Sequence, residues 1–267
     1  MKFNKVLFWC EFPKEVNWKR FNKILNFNIE VYIAAKNKKE FNFYKSKIKT
    51  KKVKNIGVWP TLSKKEGYWF SGYSSKKSIN KLKQFKKLKI KIDLEPPLLD
   101  INYNFFKLVG AYKILLISKR PKNKNYLNKT ILELNKNSNI ILSGLPLPKF
   151  IDSFYINQIK NKNIKRNYFI YSTLVPRFLL PLANIYYKYF IKKSIKNNKN
   201  VMFAVGCIGH GIFYSEPTYN NINEFENDLK FLLKNNVKNV AVFDLAGLMK
   251  RENPNKWFDV LKKHLNQ

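Results

Sequence analysis

The chain has 267 residues, 45% of them hydrophobic, and a formal net charge of +35. That is ample for a sizeable core, and barrels of this length are routinely one domain. The charge alone would point to nucleic acid, but lysine supplies 47 of the 52 basic residues, arginine five, and asparagine reaches 35, so AT-rich codon bias accounts for part of it, and arginine-forked recognition is not favoured.

In chain order, short apolar runs predict strands at 3–10, 29–35, 53–60, 88–95, 138–143, 167–173, 201–207 and 238–244. The run after Lys5 is too short to cross a membrane and carries no small-residue cleavage site, and there is no long uninterrupted apolar stretch. A cytoplasmic protein without a transmembrane segment is expected. Cys10 and Cys207 are too few for a disulfide framework, lack C-x-x-C spacing, and read as small buried thiols.

Helical stripes fill the gaps between the strands. Trp18, Phe21 and Leu25 make one; Ile79, Leu82 and Phe85 make another; Ile222, Phe225, Leu229 and Leu232 make the clearest. The last of these opens on Asn221 with Glu224 three residues on, a variant of the capping box. Asn253 followed by Pro254 opens the final helix. The run 174–191 is apolar enough for a helix docked on the barrel, a dimer interface or a membrane surface, and a buried helix is the default expectation. Residues 97–137 break the spacing and predict an extra helix near 101–118 besides the normal crossover helix. Strand then helix, about eight times, predicts parallel strands with crossovers. We expect an α/β fold: a single (β/α)8 TIM barrel over 1–267, with a helical insertion around 97–137. An open doubly wound sheet is disfavoured, because no Gly-rich phosphate loop follows the first strand.

The charges give such a barrel a polarity. Lys45 to Lys54, Lys81 to Lys89, Lys160 to Arg166 and Lys192 to Lys199 precede strands and fall at the bottom, where cations also complement helix dipoles. That face reads first as solvated, and alternatively as a dock for an anionic partner. Several of the 17 acids fall at strand ends: Glu11, Asp93, Glu95 and Asp244, with Glu216 in the loop after the seventh strand. These are top positions, where barrel enzymes keep their chemistry.

In KLKIKIDLEPP, residues 87–97, alternation puts Ile90, Ile92 and Leu94 on one face and Lys91, Asp93 and Glu95 on the other. The outer face must be apolar to receive helices, so the charged set points inward, where charges are costly unless paired or used. Glu95 is the natural acid for glycosidic cleavage, with Asp93 as its partner. The segment resembles the fourth-strand D-x-D-x-E motif of family-18 chitinases and related barrel glycosidases at its last two acids. That resemblance implies Glu95 as general acid, Asp93 in support, and Tyr171 as a contact to an N-acetyl group. The first motif Asp is Lys91 here, and no tryptophan matches the family's last-strand position, where Asp244 and Leu245 stand. The pairing of Glu95 with Glu216 also resembles the large retaining clan, with Glu216 as nucleophile.

His210, in a glycine-rich loop, is a candidate base or binding residue, while His264 reads as structural. The aromatics Trp9, Trp59, Tyr68, Trp69, Phe70, Tyr73 and Tyr214 crowd the upper segments, and Trp59, Trp69 and Tyr73 are candidate stacking platforms. Glu11, His210 and Asp244 complete the expected substrate-binding set. No metal cluster is legible, and no cofactor is expected. The leading expectation is therefore a glycoside hydrolase acting on a small-molecule or oligosaccharide substrate. Two alternatives stand beside it. One is a non-enzymatic protein binding nucleic acid or acidic membrane through the basic bottom. The other is a barrel enzyme of another class that uses Asp93, Glu95 and His210 on a phosphate or sugar-acid substrate.

Overall fold

The structure is a computed structural model, and it describes residues 1–99, 103–148, 159, 161–198, 200–213 and 215–266. Eight parallel strands close in sequence order: β1 (Lys5–Cys10), β2 (Ile29–Ala35), β3 (Val53–Pro60), β4 (Lys89–Asp93), β5 (Asn139–Gly144), β6 (Lys165–Phe169), β7 (Val201–Val205) and β8 (Asn239–Phe243). β1 and β8 complete the ring, paired from Lys5 with Asn239 to Trp9 with Phe243. The fold is a (β/α)8 barrel. Its helices are α1 (Trp18–Ile24), α2 (Lys38–Lys45), α3 (Lys76–Asn80), α4 (Phe105–Ser118), α5 (Lys124–Asn135), α6 (Leu180–Asn197), α7 (Ile222–Lys234), α8 (Leu245–Lys250) and α9 (Pro254–Lys263). Tyr214, Lys160 and Lys199 lie outside the described residues.

Alternation along the strands builds two apolar layers. Val6, Phe8, Val31, Ile33, Ile90, Ile92, Phe203 and Val242 face outward and pack under the helices. Leu7, Trp9, Tyr32, Trp59, Ile141, Phe169, Met202 and Phe243 fill the interior. A Cβ at Gly57 would sit 2.3 Å from the Tyr32 ring, so the glycine makes room for that tyrosine inside the barrel. The lower end of the interior is polar and closed. Lys5 pairs with Glu30 at 2.6 Å, the Asn55 amide donates to Glu30, and the Lys89 ammonium donates to Asn55.

Some strand ends differ from the sequence reading. β4 stops at Asp93, before Pro96 and Pro97, which cannot donate to a ladder. β6 stops at Phe169 rather than reaching 173, because Ser172–Leu174 turns as a 3-10 helix. Asn221 caps α7, its side chain accepting from the backbone N–H groups of Asn223 and Glu224. Glu224 reaches back to the N–H of Asn220 rather than to the cap residue. Pro254 occupies the first turn of α9, where Asn253 makes no side-chain cap bond. The segment 174–191 is not the buried helix expected. α6 buries only Tyr187 and Ile191 and leaves Leu182, Ile185 and Tyr189 exposed.

Candidate active site

The upper end of the barrel opens into a cavity of about 600 Å³. Its floor carries Glu11, Lys91, Asp93, Glu95 and Glu216. Trp59, Phe169, Tyr171 and Phe243 form the inner wall, and side chains of α4 and α6 form the outer one. Tyr171 stacks between Phe169 and Phe243, with ring centres 5.1 and 5.6 Å away.

At the deepest point, Lys91 Nζ lies 2.7 Å from Asp93 Oδ1 and 2.8 Å from Oδ2. The ammonium also lies 3.3 Å from the centre of the Trp59 ring and 4.8 Å from that of Trp9, an aromatic box that favours the cation. Burial pushes the Lys91 pKa down and that of Asp93 up, while each charge holds the other toward its ionised form. Glu95 stands two residues above on the same face, deep beneath the surface yet open to the cavity. Burial, and then the Asp93 charge, push its carboxyl well above the usual range, and Lys91 only partly opposes them.

Glu216 folds back from the loop after β7 into the cavity. The missing side chain at Gly211 leaves room for this: a Cβ there would lie 2.6 Å from Glu216 Oε2 and 3.0 Å from Glu11 Oε2. The two carboxyls therefore approach each other beside Gly211, where a larger residue would displace them. Gly211 N–H donates to Glu216 Oε2 at 2.8 Å, and the ring Nδ1 of His210 lies 2.7 Å from the Glu216 carbonyl. Burial raises Glu216 to about 7, against the backbone hydrogen bonds that favour its anion. Glu11 is raised further, first by burial and then by Glu216, while a hydrogen bond from Tyr68 opposes this. Cys207 Sγ lies 4.0 Å from Glu216 Oε2. Burial and that neighbouring carboxylate keep the Cys207 thiol protonated, so it is no ready nucleophile.

The structure thus gathers Glu11, Trp59, Trp69, Asp93, Glu95, Tyr171 and Glu216 around one cavity. Tyr73, His210 and Asp244 are not among its lining residues. The Tyr73 hydroxyl donates to the Lys119 carbonyl at 3.1 Å, beside a separate surface depression. His210 braces the backbone of the Glu216 loop. Asp244 is fully buried and caps α8, accepting from Gly247 N–H at 2.8 Å. Burial raises its pKa to about 7, against the backbone N–H groups of Gly247 and Ala246. Sequence reasoning missed Tyr103, Tyr112 and Phe213, which also line the cavity and are loop or helix residues without a strand to place them, and it named Tyr68 only among the crowding aromatics. Among the described residues, no group of three or more His, Cys, Asp or Glu side chains is arranged to hold a metal.

No protein-family model matches the chain, and no curated protein matches it. Among solved structures, a tryptophan synthase alpha subunit from Pyrococcus furiosus is 12% identical over 98% of this chain and 100% of its own, with a TM-score of 0.36. The protein named CutC from Streptococcus agalactiae is 11% identical over 92% of this chain and 100% of its own, with a TM-score of 0.31. Neither is a glycoside hydrolase. The barrel itself rests on the strand ladder described above.

These findings correct the expected glycoside hydrolase and its resemblance to family-18 chitinases. The geometry supplies a physical reason. Lys91, where that family has its first acid, holds both carboxylate oxygens of Asp93 with its ammonium. Asp93 is thereby committed to a counter-ion. The cavity wall is mostly aromatic and aliphatic, with few of the hydrogen-bonding groups that a sugar's hydroxyls require.

Proposed function

We propose that this chain is a barrel enzyme of another class, one that moves protons at the mouth of the barrel on a substrate with a large apolar part. The observation that carries this reading is a carboxyl floor beneath an apolar cavity, with Glu216 raised to about 7. A group near its midpoint at working pH exchanges protons most effectively, and perturbed groups gathered in a cleft are characteristic of catalytic sites. Glu216 takes or returns the proton. Glu95, its carboxyl pushed up by burial and then by the Asp93 charge, donates a hydrogen bond or a proton to the reacting group. Glu11 faces Glu216 beside Gly211 and is itself raised by that carboxylate, and the Lys91–Asp93 pair fixes the floor. The apolar part of the substrate lies against Trp59, Tyr171 and the inner sides of α4 and α6. The mostly aromatic and aliphatic wall has little to hold a multiply charged group, which favours an uncharged reacting end over the phosphate or sugar acid of the alternative reading.

The test incubates a total lipid and metabolite extract in deuterated water with wild type, Glu216→Gln and Glu95→Gln. Mass spectrometry then reads deuterium uptake and new masses. We expect at least one compound to change with wild type and to change about 100-fold more slowly with either variant. An extract left unaltered by wild type, or altered equally by all three proteins, would refute the reading.

A further inference from the structure

Large apolar side chains are exposed in a concentrated region. Phe106, Val109, Ile114 and Ile117 stand out on α4, with Ile117 78% exposed. Leu182, Ile185 and Tyr189 do so on α6, and Phe178, 71% exposed, precedes that helix. Phe106 and Phe178 stack with ring centres 6.4 Å apart, which joins the two helices into one surface. That surface is continuous with the cavity, since Val109 and Leu182 line the cavity and are exposed at the same time. Soluble monomers rarely leave a contiguous apolar patch of this kind uncovered.

The charges around it are of one sign. α4 carries Lys107 and Lys113 and is followed by Lys119 and Arg120. α6 carries Lys188, Lys192, Lys193 and Lys196. Neither helix has an acidic residue, and Lys193 Nζ lies over the Tyr189 ring, 5.2 Å from its centre. Basic residues interleaved with exposed aliphatic and aromatic ones are the pattern of a surface lying in the headgroup layer of an anionic bilayer. The lysine stems can lie along the apolar surface while their ammonium groups reach the phosphates. Among the described residues, no helix is long and apolar enough to cross a membrane, so the contact is with one leaflet.

We infer that α4 and α6 dock this protein on an anionic phospholipid bilayer, with the mouth of the cavity facing the lipid. The docking face is formed by α4 and α6 beside the mouth, and it takes in the start of the lysine run Lys192 to Lys199 at the end of α6. If the proposed proton-transfer reading is also right, the substrate is an amphiphile drawn from the leaflet, its chain between the helices and its polar end on the carboxyl floor.

The test is co-sedimentation of the full chain with vesicles of phosphatidylcholine, with and without phosphatidylglycerol. Wild type is expected to bind the anionic vesicles and to retain part of that binding at high salt. Ile114→Asp and Ile185→Asp, folded by circular dichroism, should each weaken it about tenfold or more, since each removes a buried apolar side chain from the contact. Glu216→Gln should bind as wild type does, which separates docking from chemistry. Three outcomes would overturn the inference. One is an absence of binding at low salt. Another is binding unaffected by the two aspartates, which would assign it to lysines elsewhere. The third is a stable dimer that Ile185→Asp dissociates, which would make a second copy the occupant.

Discussion

A lysine ammonium enclosed by tryptophan rings and one carboxylate is costly to bury, and Lys91 persists because Asp93 and the ring faces together replace its water. Removing one partner strands the other. Lys91→Met should lower unfolding stability in urea by about 3 kcal/mol, and the double substitution Lys91→Met/Asp93→Leu should recover most of it. Equal losses in the single and double variants would show that the pair is not coupled. This inward set was legible from the period of two alone, because an outward-facing charge on β4 would meet the helix layer. The partners that tune it were not. Tyr68, which holds Glu11, has a positive φ of 61 in a loop, and no periodicity constrains such a residue. Cys207 read as a bland thiol, and only the fold places it against Glu216.

The helices divide by how their apolar residues are distributed. α7 and α9 each show a single stripe, and the structure buries it: Phe225, Leu229 and Leu232 on one, Trp257, Phe258 and Leu261 on the other. Asn221 closes the start of α7, accepting from two backbone N–H groups at 3.0 and 3.1 Å. Asn221→Ala should therefore cost about 1 kcal/mol, read as a lower urea midpoint with unchanged slope. A slope that changed as well would mean that more than the cap had moved. α6 misled because its first half, Leu180 to Tyr187, is apolar but for Asn184, which ordinarily marks a buried helix. The signal that distinguishes it is the interleaving of lysines with the apolar positions and the lack of any acid. The (β/α)8 order was legible because eight apolar runs recur with helical stripes between them. The strand ends were less so, since prolines and 3-10 turns decide them locally.

For the molecule as a whole, buried carboxyls tie stability to pH. Glu216 and Asp244 are raised to about 7 and Asp228 to about 6, all chiefly by burial. Folding therefore takes up protons. The stability these groups contribute is fully present below their unfolded values and is lost as pH rises through the folded ones. For Glu216 the window runs from 4.5 to about 7 and corresponds to roughly 3 kcal/mol. Glu66 and Glu226, lowered to about 2 by their lysine partners, stay ionised throughout that window and leave the slope unchanged. At physiological salt, where self-repulsion is screened, Tm should be higher at pH 5 than at pH 8, and Glu216→Gln should flatten part of that slope. A Tm that rose from pH 5 to pH 8 would contradict this.

The closed lower end of the barrel also bears on traffic. Lys5, Glu30, Asn55 and Lys89 seal the interior below, and the interior above them is filled by Leu7, Tyr32, Ile141 and Met202. A compound reaching the carboxyl floor through the mouth has to leave the same way. Entry and exit then compete for one doorway, so product occupies the position the next substrate needs. The pace of turnover would be governed by how readily the surroundings of that doorway accept the departing molecule.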